Sequence, residues 1–331
     1  MTVAISILGL GRLGGSLALR LAKREDLRIA GYDRDPSVAK RAQSQGALHK
    51  AHWNLFNAVE GADVIVVALP FAEQRETLKL IAPDLRPGSV VVAAGSLLVP
   101  PLAWAAELLG ETGERHFVAA HPVLNPAQLH TGDFGFEAAR ADLFGKGLWA
   151  LAPAPNCAPE GLRLAADLAR LVDAFPYFVD PHEHDGLAAA ADNLPALLAW
   201  ALMRAAAVSP GWPETRKVAD RSFATATAAL VDMEPAVIRA NRENALRYLD
   251  AALADLQTLR QWLARDDGPS LEAALTEAAE LRAAWVAVRA KGDWEHLDDV
   301  QTDMPTAGDM LGRMLVGGLM GKRGEKKDAD R

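Results

Sequence analysis

Up to residue 180 the chain is punctuated by short apolar runs that do not alternate with polar residues, at 3–8, 28–32, 63–69, 89–94, 116–120, 147–151 and 177–179. A strand wetted on one face alternates, whereas a strand covered on both faces does not. The runs therefore predict an α/β fold, a doubly wound parallel sheet of Rossmann type with helices on both faces. Leu13, Leu17 and Leu21 fall on one stripe and predict a helix over 13–23, and a second is expected over 161–173.

At Asp180-Pro181-His182-Glu183 the pattern changes. Asp is a good N-cap, Pro suits the first helical position and Glu complements the positive end of the first turn. Beyond it Ala and Leu recur at helical spacing and predict helices over 181–208, 213–232, 234–265 and 270–290, with a break at Asp266-Asp267-Gly268-Pro269. Pro195 removes an N–H and frees the carbonyl of Ala191, so a kink is expected there. The domains thus read 1–180, a Rossmann domain; 181–291, an all-α domain; and 292–331, a solvated tail with the mixed-charge run Lys322 to Lys327. Met310, Leu311, Met314 and Leu315 offer the tail an alternative, an amphipathic segment docked on a partner. Ala- and Leu-rich helices with little all-round polarity need a covering surface, which predicts a homodimer through the helical domain.

Half of the 331 residues are hydrophobic, enough for a large core. Lys and Arg number 35 against 43 Asp and Glu, and the net charge of −8 argues against a nucleic-acid surface. The single cysteine, Cys157, excludes an internal disulfide and a cysteine-built metal site and fits a reducing cytoplasm. No secretory signal is visible, and the most apolar long stretch is interrupted by Asp192, Asn193 and Pro195, so no membrane span is expected.

Chemistry enters with Gly9, Gly11 and Gly14, which lie between the first strand and the first helix. In a strand–turn–helix context this spacing builds a pyrophosphate site, with Gly9 for the tight bend, Gly11 for close approach of the backbone and Gly14 for packing of helix on strand. Asp33 closes the second strand, where a carboxylate accepts from ribose hydroxyls and repels a 2′-phosphate. The cofactor read from this stretch is NAD rather than NADP, although Arg34 adjoins the carboxylate. Leu10, Arg12 and Leu13 of the loop, with Leu69 and Pro70 at the end of the 63–69 run, complete the candidate cofactor-binding set.

In a doubly wound sheet the ligand lies beyond the carboxyl ends of the strands. His121 ends one run and Ser96 follows its neighbour. A neutral imidazole there suits acceptance of a hydroxyl proton as a hydride leaves carbon. Ser96 is placed to donate to substrate or to position the imidazole. His182, Glu183, His184 and Asp185 do not read as a metal site, because positions one and two apart diverge around a helix axis; no metal is expected.

Several segments together resemble the prephenate dehydrogenase family over roughly residues 3–250: Phe117-Val118-Ala119-Ala120-His121-Pro122, the stretch 135–144 that follows it, and Asp180-Pro181-His182-Glu183-His184-Asp185. The resemblance implies an NAD domain joined to a helical dimerisation domain. It also implies oxidative decarboxylation of prephenate or arogenate in tyrosine biosynthesis, with His121 as the catalytic histidine bonded to the substrate's ring hydroxyl and Ser96 assisting it. The departures from the family pattern fall on substrate contacts. Asp192-Asn193-Leu194-Pro195-Ala196 stands where two histidines are usual, Leu98 replaces a lysine, and 223–229 lacks the usual arginine, leaving Arg221 upstream as a substitute. Asn125, Asp192, Asn193 and Arg221 are thus the candidate substrate contacts. Two alternatives remain open at this level: a dehydrogenase of another small hydroxy or amino acid, and an NAD-binding regulatory protein without catalysis.

Overall fold

A computed structural model describes residues 2–110, 114–129, 134–231 and 233–294. The tail beyond them, with Met310 to Leu315 and Lys322 to Lys327, lies outside the described residues. Eight strands, β1 (Val3–Leu8), β2 (Leu27–Tyr32), β3 (Lys50–His52), β4 (Val64–Val67), β5 (Val90–Ala94), β6 (His116–Val123), β7 (Leu148–Pro153) and β8 (Phe175–Phe178), form one sheet in the order β3-β2-β1-β4-β5-β6-β7-β8. From β3 to β6 all neighbours are parallel. β7 then pairs antiparallel with β6, and β8 runs with β7. The expected doubly wound parallel sheet is present, with β7 and β8 added in the reverse direction at one edge. Among the described residues only turns, at Pro126–Gln128 and Phe136–Ala138, lie between β6 and β7, and with no crossover helix among them the chain returns in the opposite direction.

The strands bury residues on both faces. Ile5, Val64, Val66, Val90, Val92 and Val118 pack under α1 (Arg12–Leu21), α2 (Pro36–Ser44) and α6 (Pro159–Leu171). Their neighbours Ile65, Val67, Val91, Phe117 and Ala119 face α3 (Leu55–Val59), α4 (Phe71–Ile81) and α5 (Val99–Leu109). This double cover is the reason that the sequence shows continuous rather than alternating apolarity.

The helical part is more broken than its periodicity predicts. The first helix divides into α7 (Pro181–Ala188), a π turn over Ala189–Asn193 and α8 (Leu194–Ala207), with Leu194 N–H reaching back to the carbonyl of Ala189. The wide turn takes up the fault that Pro195 introduces. The next helices are α9 (Trp212–Val218) and α10 (Arg221–Thr227), parted at Ala219-Asp220, then α11 (Pro235–Ala240) and α12 (Arg242–Ala264), parted at Asn241, and α13 (Gly268–Lys291). By length and composition alone, residues 181–207 would suffice to cross a membrane; in this fold the stretch carries His184, Asp185 and Asp192.

Residues 1–292 form one compact unit. Two carboxylates from the helical part cap helices of the sheet part: Asp185 accepts from the amides of Leu98 and Val99 at the start of α5, and Glu234 accepts from Phe71 N–H at the start of α4. Each supplies an acceptor to amides that no intrahelical carbonyl can reach. Phe71, Leu97, Ala188 and Val237 bury an apolar seam beside these caps.

Candidate active site

The glycine loop runs from β1 into α1. Gly9 has a φ of 91°, and a Cβ there would strike the Ala68 carbonyl at the end of β4. A Cβ on Gly14 would land on the carbonyl oxygen of Gly9, so close packing of helix and strand requires a residue without one. At Gly11 the added atom would meet open space. That gap, above the first turn of a helix whose leading amides lack intrahelical partners, is what a pyrophosphate requires. The loop is held from below: Leu10 donates its N–H to Asp33 Oδ2 at 2.9 Å, while Asp33 Oδ1 accepts from Asp35 N–H. The side chain of Leu10 is fully buried in the core, so only its backbone lies along the loop. Arg12 opens α1 and Leu13 packs on the core. Arg34 extends into solvent and pairs with Glu73 at 3.1 Å. Leu69 lines the glycine turn and Pro70 caps α4 on its exposed side. The arrangement fits NAD, with Gly9 to Gly14 around the pyrophosphate and Asp33 towards a ribose.

His121 lies one residue past the point where β5 ends, since Ala94 is the register partner of Ala120. β6 continues beyond it to Val123, held by β7, so the imidazole projects from a paired strand rather than a loose loop. Its Nδ1 meets His184 Nε2 at 3.0 Å, the rings standing edge to face. His184 Nδ1 in turn meets Asp185 Oδ1 at 3.1 Å. Sequence reasoning missed this chain. Neighbours on a helix cannot share one ion, but they can bond each other when one of them is anchored sideways, as Asp185 is by the α5 amides. Among the described residues no protein group bonds the second ring nitrogen of His121. Burial, reinforced by the neighbouring His184 and opposed by Asp185, pushes the pKa of His121 down to about 3, so the ring is neutral throughout the physiological range.

Ser96 sits half-buried in the turn after β5, next in the chain to Gly95, whose N–H donates to the Ala120 carbonyl. The group bonded to the imidazole is His184 and not the serine. Asp192 lies in the π turn near His184, and desolvation raises its carboxyl to about 6 although it keeps contact with solvent. Two substrate candidates are engaged within the protein. Asn193 is buried, its Oδ1 accepting from Asn241 Nδ2, and that same amide donates to the Asp185 carbonyl at 2.7 Å. Asn125 closes the turn after β6, accepting from Ala127 N–H and donating to the Asp142 carbonyl. Both amides are consumed by packing. Arg221 begins α10 on an exposed surface, with no bond to His121 or Asp192 among the described residues.

A glycine loop of dinucleotide type and a buttressed imidazole, both at the carboxyl edge of one sheet, are the features of an NAD-dependent oxidoreductase. Comparison narrows the class. Residues 17–175 match the prephenate dehydrogenase nucleotide-binding domain and residues 180–277 the prephenate dehydrogenase dimerization domain. The chain belongs to the prephenate dehydrogenase family. A cyclohexadienyl dehydrogenase of Zymomonas mobilis is 25% identical over 290 residues, covering 85% of this chain and 95% of that one. The fold is shared with a prephenate dehydrogenase of Aquifex aeolicus in complex with hydroxyphenyl propionate and NAD⁺, at a TM-score of 0.74 and 22% identity over 86% of this chain and 98% of that one. It is shared too with a Synechocystis arogenate dehydrogenase, at 0.68 and 22% over 86% and 100%.

Proposed function

We propose that the protein oxidises a cyclohexadienyl alcohol of the prephenate or arogenate type with NAD, with loss of the ring carboxylate, in tyrosine biosynthesis. The observation that carries the reading is His121, a neutral imidazole with one nitrogen bound to His184 and the other open, at the carboxyl edge of the sheet that also bears the glycine loop. NAD bound on that loop supplies the acceptor for the hydrogen and electron pair that leave the ring carbon. His121 takes the hydroxyl proton as the C=O bond develops. When the ring carboxylate departs as CO₂, its bonding pair completes the aromatic ring and the oxygen recovers the proton from His121. Ser96 donates a hydrogen bond to the same oxygen, and the low dielectric that depresses His121 strengthens that bond.

Asp192 favours arogenate over prephenate. Both substrates carry a side-chain carboxylate, but only arogenate carries an ammonium beside it, which an anionic Asp192 would pair with, whereas the keto group of prephenate offers that carboxylate no partner. Incubation of the protein with NAD and each substrate in turn, followed by NADH absorbance, tests both statements; no NADH with either removes the reading. The chain acts as a homodimer through its helical domain, in the cytoplasm, where the lone Cys157 stays reduced.

A further inference from the structure

We infer that His184 and Asp185 are positioning residues that fix the proton polarity of the His121 ring, so that it presents a bare Nε2 to the cleft. The inference deepens the reading of His121 as proton acceptor and rests on it for its functional meaning.

The polarity starts from backbone. The amides of Leu98 and Val99, at 2.8 and 3.1 Å from the two Asp185 oxygens, can only donate, so the carboxylate is held as acceptor on both sides. Oδ1, which accepts from Leu98, is the oxygen that meets His184 Nδ1. His184 must therefore place its proton on Nδ1. In a neutral imidazole the other nitrogen is then an acceptor. That nitrogen, His184 Nε2, lies 3.0 Å from His121 Nδ1, so His121 donates there and carries its single proton on Nδ1. Its lone pair is left at Nε2, the nitrogen without a protein partner among the described residues. Each ring is locked by the one behind it, and the last lock is the N-terminus of α5, which follows Ser96 in the chain. Asn241 steadies the same corner by donating to the Asp185 carbonyl at 2.7 Å. The opposite tautomer of His121 would point an N–H at the substrate hydroxyl, and an imidazole so protonated cannot act as the base.

The chain also distinguishes replacements by their hydrogen-bonding sense. A glutamine at 184 offers a carbonyl oxygen towards His121 and an amide donor towards Asp185, the same polarity as the native ring. A leucine fills similar space and offers neither.

Two measurements on the full-length protein test this. In ¹⁵N-histidine spectra, with the His121 signals assigned by their loss in His121→Gln, His121 is expected as the Nδ1–H tautomer; an Nε2–H tautomer overturns the inference. In kinetics at saturating NAD, His184→Leu is expected to lower kcat on the order of 10²-fold, the low end for a positioned acid or base, with little change in KM for NAD. His184→Gln is expected to regain about tenfold of that loss, because restoring the correct tautomer restores the base. A leucine variant as active as the native protein, or a glutamine variant no better than leucine, sinks the proposal. Should the native protein oxidise neither prephenate nor arogenate while the spectrum shows Nδ1–H, the positioning stands and the assigned reaction falls. The reverse tautomer in an active enzyme removes the positioning alone.

Discussion

Two titratable side chains carry the most specific expectations, and their shifts run in opposite senses. His121 is pushed down to about 3 by burial and by His184, so acid does not disarm it near the usual imidazole range. The acid limb of kcat/KM is accordingly expected below pH 6 and not to belong to this ring. Replacement His121→Ala should lower kcat by roughly 10²- to 10⁴-fold and leave NAD affinity nearly unchanged, as titration calorimetry would show. Asp192 is raised to about 6 by desolvation, so its carboxyl holds a proton below that pH and is anionic above it. Asp192→Asn should therefore weaken binding of an ammonium-bearing substrate above pH 6 and leave it nearly unchanged near pH 4. Equal KM values for arogenate in the two proteins at pH 7.5 would exclude the pairing. His121, Ser96 and Asp192 were all visible in the sequence because each ends a run or breaks a pattern. His184 as the partner of His121 was not, since 63 positions separate them and nothing local announces the bond.

The glycine turn shows why some elements were legible and others were not. Gly9, Gly11 and Gly14 are demanded by a local bend, a local opening and a local contact, so their spacing can be read without knowledge of the rest of the fold. Replacement Gly11→Val should fill the space left for the pyrophosphate and abolish NAD binding, with circular dichroism and Tm close to native because the added atoms meet nothing in the protein. A Gly14→Val change should instead force α1 off β1 and lower stability as well as binding. Normal NAD affinity in the Gly11 variant would contradict the placement of the site. The apolar strands were equally plain, whereas β3, three residues long and half exposed, carries no such signal. The reversal of β7 was hidden because strand direction depends on what the connection contains. Helix breaks at Ala219-Asp220 and Asn241 were missed for a related reason: helical periodicity continues across them, and tertiary contacts such as Asn241 to Asp185 decide where the chain turns.

What remains exposed on the folded chain argues for its assembly. On α12, Leu246, Leu253, Leu256 and Leu263 stand open to solvent, with Leu249 half covered among them. Their spacing of three and four residues is that of a coiled-coil seam, and a single helix presenting such a stripe to water leaves its largest apolar contribution unused. Trp200 on α8 and Leu275 and Trp285 on α13 are also about half exposed. A second copy of the same helical layer would cover these surfaces, each buried Leu contributing about 1.5–3 kcal/mol. The caps that Asp185 and Glu234 place on α5 and α4 make this more than a matter of solubility, because the layer that bears the open stripe is the layer that carries His184 to His121. Dissociation should therefore loosen the site as well as the subunits. Sedimentation equilibrium is expected to give a dimer, and the double change Leu253→Glu with Leu256→Glu should give monomers of lower Tm. These monomers should keep NAD affinity, because the glycine loop lies wholly within the sheet, and should lose kcat as the support behind His184 relaxes. A native protein that sediments as a monomer with full activity would show that the α12 stripe serves some other contact and that the base needs no neighbour to stay in place.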